Sequence, residues 1–195
     1  MALKPDTISR WRNSEVLLLG GSAGSFKILF RLIKVLPADL NKIVVIIIHR
    51  KKNFFSEIEK LFAENSRMYL REVSDKDAIT RGTIYIAPAN YHTLVESEEQ
   101  FSLDVSEAVW YSKPSIDVTF ESAAEVFKGR CTAILLSGAN QDGARGLLKL
   151  REQGSLTIAQ DPADAEMREM PGAAVEINAA DEILTVNDIF ELLQA

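Results

Sequence analysis

The sequence has few of the residues from which redox and metal sites are built. It contains one cysteine and two histidines among 195 residues. A single cysteine cannot form an internal disulfide and is typical of a reducing compartment. Cys131 opens an apolar run, which predicts a small buried side chain. Because the histidines also lack the spacing of a zinc site, we expect neither a metal nor another cofactor.

Long hydrophobic runs and an excess of positive charge are missing as well. The most hydrophobic run, residues 43–48, is far too short to span a bilayer, and the sequence shows no signal peptide. The net charge is −6, with 22 Lys and Arg against 28 Asp and Glu, which disfavours a general nucleic-acid surface. We therefore expect a cytoplasmic protein with no nucleic-acid partner and no membrane insertion.

Predicted strands alternate with predicted helices along the chain. Residues 16–19 form an apolar strand, and the apolar residues after it recur at helical spacing. Residues 43–48 are all β-branched, which predicts a strand buried on both faces. Residues 132–136 begin another strand–helix unit, and the alternation over 101–105 predicts an antiparallel hairpin with residues 92–95. The order predicts an α/β fold: a doubly wound, mostly parallel sheet with helices on both faces and one antiparallel hairpin excursion.

The turn after the first strand carries a candidate nucleophile. Gly20, Ser22 and Gly24 spell Gly-x-Ser-x-Gly, the pattern of a nucleophile elbow between a strand and a helix. The N–H groups and the positive dipole end of the following helix would stabilise an oxyanion there. Ser22 could equally be the N-cap of that helix, and the motif alone does not decide between the two roles.

Two further polar residues follow other strong strands. His49 comes directly after residues 43–48, and Asp142 lies in the loop after residues 132–136. The carboxyl ends of parallel strands meet at one edge of a sheet, so these side chains are expected to converge with Ser22. A serine, an imidazole and a carboxylate are the three groups that a serine hydrolase needs.

Each of these assignments has an alternative. His92, in the predicted hairpin, is the other histidine that could act as a base, and Asp161 is a rival carboxylate just after a strand. Asp142 could instead be the N-cap of the helix that follows it. Asp117 lies in the first turn of a helix for which Ser115 is the predicted N-cap, where the helix dipole alone would explain an acidic residue.

Taken together, these residues and several further motifs resemble one known family. The chain resembles, from about residue 16 to residue 193, the catalytic domain of the bacterial chemotaxis protein-glutamate methylesterases (CheB). The matching motifs are, in chain order, LGGSAG (19–24), the histidine at 49, APANYH (87–92), KPSIDV (113–118), SGANQDGA (137–144), AQD (159–161) and MP (170–171).

This resemblance implies an activity and a set of roles. The expected reaction is hydrolysis of glutamate γ-methyl esters on chemoreceptors, with methanol release and a related deamidation of glutamine. Ser22 would attack the ester, His49 would transfer the proton and Asp142 would orient His49. The backbone N–H groups of Ala23 and Ala139 would hold the oxyanion. The implied partners are the cytoplasmic helices of a methylated chemoreceptor and a separate response regulator or methyltransferase of the same pathway.

The chain departs from the family pattern near the implied site. Ala23 replaces the usual threonine, Ser25 replaces a glycine, and Gly138-Ala139-Asn140 replaces Gly-Met-Gly. We expect an active enzyme with a changed pocket. Two alternatives stay open: a serine esterase or amidase with another acyl substrate, and a binding module of the same fold with weak activity.

Residues 1–15 are expected to form a short N-terminal arm or peripheral helix, and residues 16–195 a single catalytic domain. The arm is too short for the receiver domain that often precedes this catalytic domain. The chain is therefore expected to be a stand-alone member or an excised domain. The basic residues Arg50, Lys51 and Lys52 would lie beside the site and either meet an acidic receptor surface or be solvated.

Overall fold

The computed structural model of the chain describes residues 3–49 and 55–195. Within this part of the chain, seven parallel strands form one sheet in the order β3-β4-β2-β1-β7-β8-β9, and β5 and β6 form a separate antiparallel pair. The strands are β1 (Val16–Gly21), β2 (Ile43–Ile48), β3 (Tyr69–Glu72), β4 (Thr83–Ile86), β5 (His92–Ser97), β6 (Gln100–Asp104), β7 (Cys131–Leu135), β8 (Leu156–Gln160) and β9 (Glu182–Leu184).

Helices join the strands. In the described residues they are α1 (Pro5–Asn13), α2 (Phe26–Val35), α3 (Phe55–Asn65), α4 (Ile116–Phe127), α5 (Ala144–Glu152), α6 (Glu169–Glu176) and α7 (Val186–Leu193). Parallel strands require such crossover connections, and right-handed crossovers place the helices against the faces of the sheet. The predicted α/β fold with one antiparallel excursion is confirmed.

The sheet has a hydrophobic core on each face, because successive strand residues point to opposite sides. In β1, Val16 and Leu18 belong to the core shared with α4, α5 and α6, whereas Leu17 and Leu19 belong to the core shared with α2, α3 and α7. Every residue of β1, β2 and β7 is buried, as expected for central strands of a parallel sheet. The central strands thus give a rigid base for the loops at their carboxyl ends.

The antiparallel pair packs against the helix that follows it. Val95 and Phe101 join the core on the α4 side of the sheet, and the Phe101 ring meets Tyr85 edge-on at 4.9 Å. Thr119 Oγ1 on α4 donates to the carbonyl of Thr93 at 2.7 Å. This contact fixes the start of α4 relative to the chain segment that precedes it.

The N-terminal helix packs on the core through Trp11, which is 3% exposed. The Lys42 ammonium lies 4.5 Å from the centre of the Trp11 ring and donates to the Trp11 carbonyl at 2.9 Å. Burial, together with the charge of Arg81, lowers the pKa of Lys42 to about 8. The carbonyls of Trp11 and Arg12, near the end of α1, thus accept from a buried side chain that lies just before β2.

Element boundaries differ from the sequence expectations by a few residues. β1 continues to Gly21 because Gly20 and Gly21 stay in register with Ile47 and Ile48, although the apolar run ends earlier. The basic residues 50–52 lie outside the described residues. Within the described part of the chain, no helix is both long and apolar enough to cross a membrane.

Candidate active site

The carboxyl ends of β1, β2 and β7 meet at one edge of the sheet. The Ser22 N–H donates to the carbonyl of Ser137 at 2.9 Å, and the His49 N–H donates to the carbonyl of Gly21 at 3.2 Å. A cavity of about 630 Å³ opens above this junction. The described residues that line it include Ser22, His49, Trp110, Ser112, Ala139 and Asn140.

Ser22 lies on a tight turn between β1 and α2. Gly24 has φ +82°, and a Cβ there would lie 2.6 Å from Ser137 Oγ, so both the conformation and the space require glycine. The N-cap of α2 is Ser25, whose hydroxyl donates to the Ser22 carbonyl at 2.7 Å. Ser22 therefore does not cap the helix. Its side chain is partly exposed on the cavity, and its hydroxyl has no hydrogen-bond partner among the described residues.

His49 and Asp142 form a close pair. His49 Nε2 lies 2.7 Å from Asp142 Oδ2; the imidazole is 10% exposed and the carboxylate is fully buried. With Nε2 directed at the carboxylate, Nδ1 is the ring nitrogen left to accept a proton. The base role would therefore fall to Nδ1, whereas Nε2 has this role in the Ser-His-Asp template.

Asp142 also satisfies the start of α4. Its two oxygens accept hydrogen bonds from Ser115 Oγ at 2.8 Å, the Ile116 N–H at 2.7 Å and the Asp117 N–H at 3.0 Å. Burial alone would raise the pKa of Asp142, but the hydrogen bonds from His49 and these N–H groups outweigh burial and hold the pKa below its usual value. The carboxylate therefore stays charged opposite His49.

The helix that follows Asp142 is capped by another residue. Gly143 is the N-cap of α5 and has φ +93°. A Cβ at this position would lie 2.5 Å from Leu135 Cδ1 and 2.7 Å from Ile116 Cγ2. The predicted alternative in which Asp142 caps its own helix is wrong, since the carboxylate instead binds the N-terminus of α4. Ser115 is confirmed as the N-cap of α4.

The rival histidine and carboxylate lie elsewhere. His92 is fully buried, with Nε2 2.9 Å from the carbonyl of Glu107 and Nδ1 accepting from the Ser115 N–H at 3.1 Å. Asp161 accepts a hydrogen bond from the Ala163 N–H at 2.8 Å. In the described part of the chain neither side chain is hydrogen-bonded to Ser22 or His49. The contacts of His92 and of Asp161 are therefore structural.

Ala23 and Ala139, the two residues expected to hold the oxyanion, are both exposed. Ala23 follows Ser22, and Ala139 lines the same cavity as Ser22. Among the described residues, no acceptor is bonded to the N–H of either alanine. The loop of Ala139 is fixed next to it, because the Gly138 carbonyl accepts from the Met170 N–H at 2.9 Å. Backbone N–H groups without an acceptor are the kind of donor that an oxyanion hole requires.

The segment at residues 105–113 forms another wall of the cavity and was not predicted to contribute. Asn140 Nδ2 donates to the Trp110 carbonyl at 3.1 Å, and Ser112 Oγ lies 3.1 Å from His49 Nδ1. This segment has no strand or helix periodicity, so only the three-dimensional contacts reveal its place. The one signal available in the sequence was that this segment runs directly into the KPSIDV motif at residues 113–118.

Asp117 is a buried carboxyl beside the site. It accepts from the Gly146 N–H at 2.8 Å and from Trp110 Nε1 at 3.2 Å, so the helix dipole is only part of its explanation. Burial raises the pKa of Asp117 to about 6, with the charge of Asp142 adding to the effect and the Gly146 N–H opposing it. Asp117 therefore links α5 to Trp110 through a carboxyl that titrates near pH 6.

We expect Asp117→Asn to change the pH dependence of stability. Between about pH 4 and pH 6 the folded protein binds more protons at Asp117 than the unfolded chain does, so the free energy of unfolding falls as pH rises. Position 117 does not titrate in Asp117→Asn, so the unfolding free energy of the variant does not show this fall. In the wild type the fall amounts to at most about 3 kcal/mol. Denaturant unfolding at pH 4, 5, 6 and 7 measures the difference, with Asp161→Asn as the control; parallel curves for wild type and Asp117→Asn would contradict it.

Known proteins resemble this chain in sequence and in fold. The family model for CheB methylesterase matches residues 17–193. The chain belongs to the CheB methylesterase family. A relative from Leptospira interrogans is 37% identical over 180 residues, covering 92% of this chain and 93% of the relative. The family resemblance predicted from the motifs is thereby confirmed.

Other CheB relatives are longer than this chain. Proteins named protein-glutamate methylesterase/protein-glutamine glutaminase from Symbiobacterium thermophilum and Pseudomonas aeruginosa are 35% and 36% identical, and the chain spans 49% and 52% of their lengths. The crystal structure of the Thermotoga maritima CheB methylesterase catalytic domain matches with a TM-score of 0.86 at 27% identity, over 93% of this chain and 97% of that one. The CheB fold therefore extends over almost all of the described chain.

Proposed function

We propose that this chain is a protein-glutamate methylesterase, which hydrolyses glutamate γ-methyl esters on the cytoplasmic helices of chemoreceptors and deamidates certain glutamines there. Family membership supports the reaction class. The observation that carries the proposal is that His49, paired with the buried carboxylate of Asp142, lines the same cavity as Ser22. We place the enzyme in the cytoplasm, with residues 16–195 as its catalytic domain.

The first half of the reaction transfers the acyl group to Ser22. As the Ser22 hydroxyl attacks the ester carbonyl, its proton passes to Nδ1 of His49 and a bond forms between Oγ and the carbonyl carbon. Asp142, charged and hydrogen-bonded to Nε2, stabilises the imidazolium. Collapse of the tetrahedral intermediate breaks the bond to the methoxy group, which leaves as methanol with the proton from His49.

The second half regenerates the enzyme. Water gives a proton to His49 and attacks the acyl-enzyme, and the glutamate product leaves while Ser22 regains its proton. The N–H groups of Ala23 and Ala139 are the proposed donors to the oxyanion in both halves; one such donor typically contributes about 10²–10³ in rate. The same steps with an amide in place of the ester release ammonia from glutamine.

The changed pocket motivates an alternative substrate. Asn140, where the family has glycine, bridges the loop of Ala139 to the Trp110 carbonyl, and its amide also accepts from the Asp142 N–H at 3.2 Å. This bridge adds a polar wall beside the proposed oxyanion donors. A serine esterase or amidase that acts on another acyl group is therefore the second candidate.

Methanol release from a methylated chemoreceptor preparation tests the proposal. We expect release with saturation in receptor concentration, and at least about tenfold lower kcat/KM for a small soluble methyl ester, because receptor contacts outside the ester contribute to binding. The unmethylated receptor serves as the blank. Equal kcat/KM for receptor and small ester would favour the second candidate, and no release from a folded protein would contradict the proposal.

A separate response regulator or methyltransferase of the same pathway is the proposed further partner. It would act on a site that opens at the sheet edge beside the exposed ring of Tyr111. Binding of such a partner should change the rate of methanol release at a fixed receptor concentration. Addition of the purified response regulator in its phosphorylated and unphosphorylated forms measures that change.

A further inference from the structure

Ser112 lies at the second ring nitrogen of His49. Its Oγ is 3.1 Å from Nδ1, while Nε2 lies 2.7 Å from Asp142. Both ring nitrogens therefore have a partner, whereas the Ser22 hydroxyl on the same cavity has none among the residues described. In this state the nitrogen that must receive the nucleophile's proton is directed at Ser112.

The turn that delivers Ser112 is conformationally costly. The N–H of Ser112 donates to the Val109 carbonyl at 2.9 Å, and the N–H of Val109 donates to the Ser112 carbonyl at 3.2 Å. Between them Trp110 has φ 49° and Tyr111 has φ 60°. Two left-handed residues in a two-residue hairpin match a type I′ turn, which normally takes asparagine and glycine. Strain of this kind persists where the surroundings impose it, and it clusters at functional sites.

The surroundings hold the turn through Trp110. Trp110 Nε1 donates to Asp117 at 3.2 Å, and the Trp110 carbonyl accepts from Asn140 Nδ2 at 3.1 Å. Tyr111 is fully exposed and adds no burial. The strained turn is thus tied both to the start of α4 and to the loop of Ala139, and its effect is to place the Ser112 hydroxyl against His49.

The chemistry of a hydroxyl fits this position. A serine hydroxyl can donate one hydrogen bond and accept two. By donating to Nδ1 it requires the tautomer with the proton on Nε2, which is the tautomer that Asp142 accepts. The Trp110 carbonyl, 3.4 Å from Ser112 Oγ, is an alternative acceptor. Rotation of the hydroxyl toward this carbonyl would free Nδ1 without moving the backbone.

We propose that Ser112 is a positioning residue for His49: it fixes the ring tautomer in the resting enzyme and competes with Ser22 for Nδ1 until substrate enters. This inference rests on the proposed function, in which Ser22 is the nucleophile and His49 its base. Its consequence is that the resting nucleophile is less reactive than the same site without the competing hydroxyl.

The test compares side chains of equal shape with and without the hydroxyl. The measured quantities are the second-order rate constant for modification of Ser22 by a fluorophosphonate and kcat/KM for p-nitrophenyl acetate. We expect Ser112→Val and Ser112→Ala to raise both by about three- to tenfold, the ratio that corresponds to one neutral hydrogen bond. Ser112→Thr, which keeps the hydroxyl, stays near wild type. Ser106→Ala is the control within the same segment, since its hydroxyl binds Asp104.

A gain of reactivity separates this role from a structural one, because loss of a merely structural contact would lower both rates. If Ser112→Val reacts no faster than Ser112→Thr while the wild type is still labelled at Ser22, the inference about Ser112 is overturned and the proposed function stands. Failure of the wild-type protein to be labelled at Ser22 would overturn the proposed function and the inference with it.

Discussion

Ser22→Ala lowers the rate of methanol release by at least about 10⁴-fold, because the members of a triad act as a unit and loss of the nucleophile removes the covalent route. His49→Ala is expected to lose activity to a similar degree. The stability of the Ser22 variant stays close to that of wild type, since the hydroxyl has no hydrogen bond to a described residue. Methanol release and thermal unfolding, measured on the same samples, check both statements.

The control for this experiment is Ser106→Ala, an exposed serine outside the proposed site, which should retain the wild-type rate. Ser112 needs its own variant because its hydroxyl also contacts His49 on the cavity. If Ser22→Ala kept most of its activity while Ser112→Ala lost it, the nucleophile would be Ser112. Loss in His92→Ala with retention in His49→Ala would likewise overturn the proposed base.

Asp142→Asn is expected to lower both activity and stability. The rate should fall by about 10⁴-fold, because an amide no longer selects the tautomer with the proton on Nε2. One of the two oxygens that accept the hydrogen bonds of α4 and Ser115 becomes an NH₂ group and faces donors. Leaving buried donors unsatisfied should cost about 2–4 kcal/mol of unfolding free energy. Asp161→Asn, whose carboxylate is partly exposed, is the matched control.

Denaturant unfolding together with methanol release separates the two effects of Asp142→Asn. The variant should still be mostly folded at 25 °C, so its residual rate reports on chemistry. A rate within tenfold of wild type would contradict the proposed role of Asp142 as the group that orients His49. An unchanged unfolding free energy would contradict its role at the start of α4.

The central strands were predictable because burial on both faces leaves a strong pattern. Residues 43–48 are apolar throughout, and the structure places them as β2, between β4 and β1. The ends of the strands were less predictable. Gly20 and Gly21 carry no apolar side chain, yet they continue the hydrogen-bonded ladder of β1 with β2. Backbone pairing, which the side-chain pattern does not report, sets where a strand ends.

The candidate site likewise has a part that the sequence predicted and a part that it did not. Functional residues of parallel sheets gather at the carboxyl ends of the strands, and on this ground Ser22, His49 and Asp142 were predicted to converge. The structure places all three at one edge of the sheet. The same rule gave no hint of Ser112 or Trp110, because these residues reach the site on an irregular segment tied down by contacts distant in sequence. Their types and spacing carry no periodic signal, so only the folded arrangement identifies them.

The contacts of Asp142 bear on how this fold would change if its chemistry were lost. One carboxylate both faces His49 and completes the first turn of α4, so selection for a folded protein is enough to retain it. A descendant that no longer hydrolyses esters could exchange Ser22 with little effect on folding. Inactive relatives should therefore lose the serine far more often than the aspartate. In a newly found member of the family, the residue at position 22 should therefore distinguish an active enzyme from a protein that keeps only the fold, whereas the aspartate at position 142 should not.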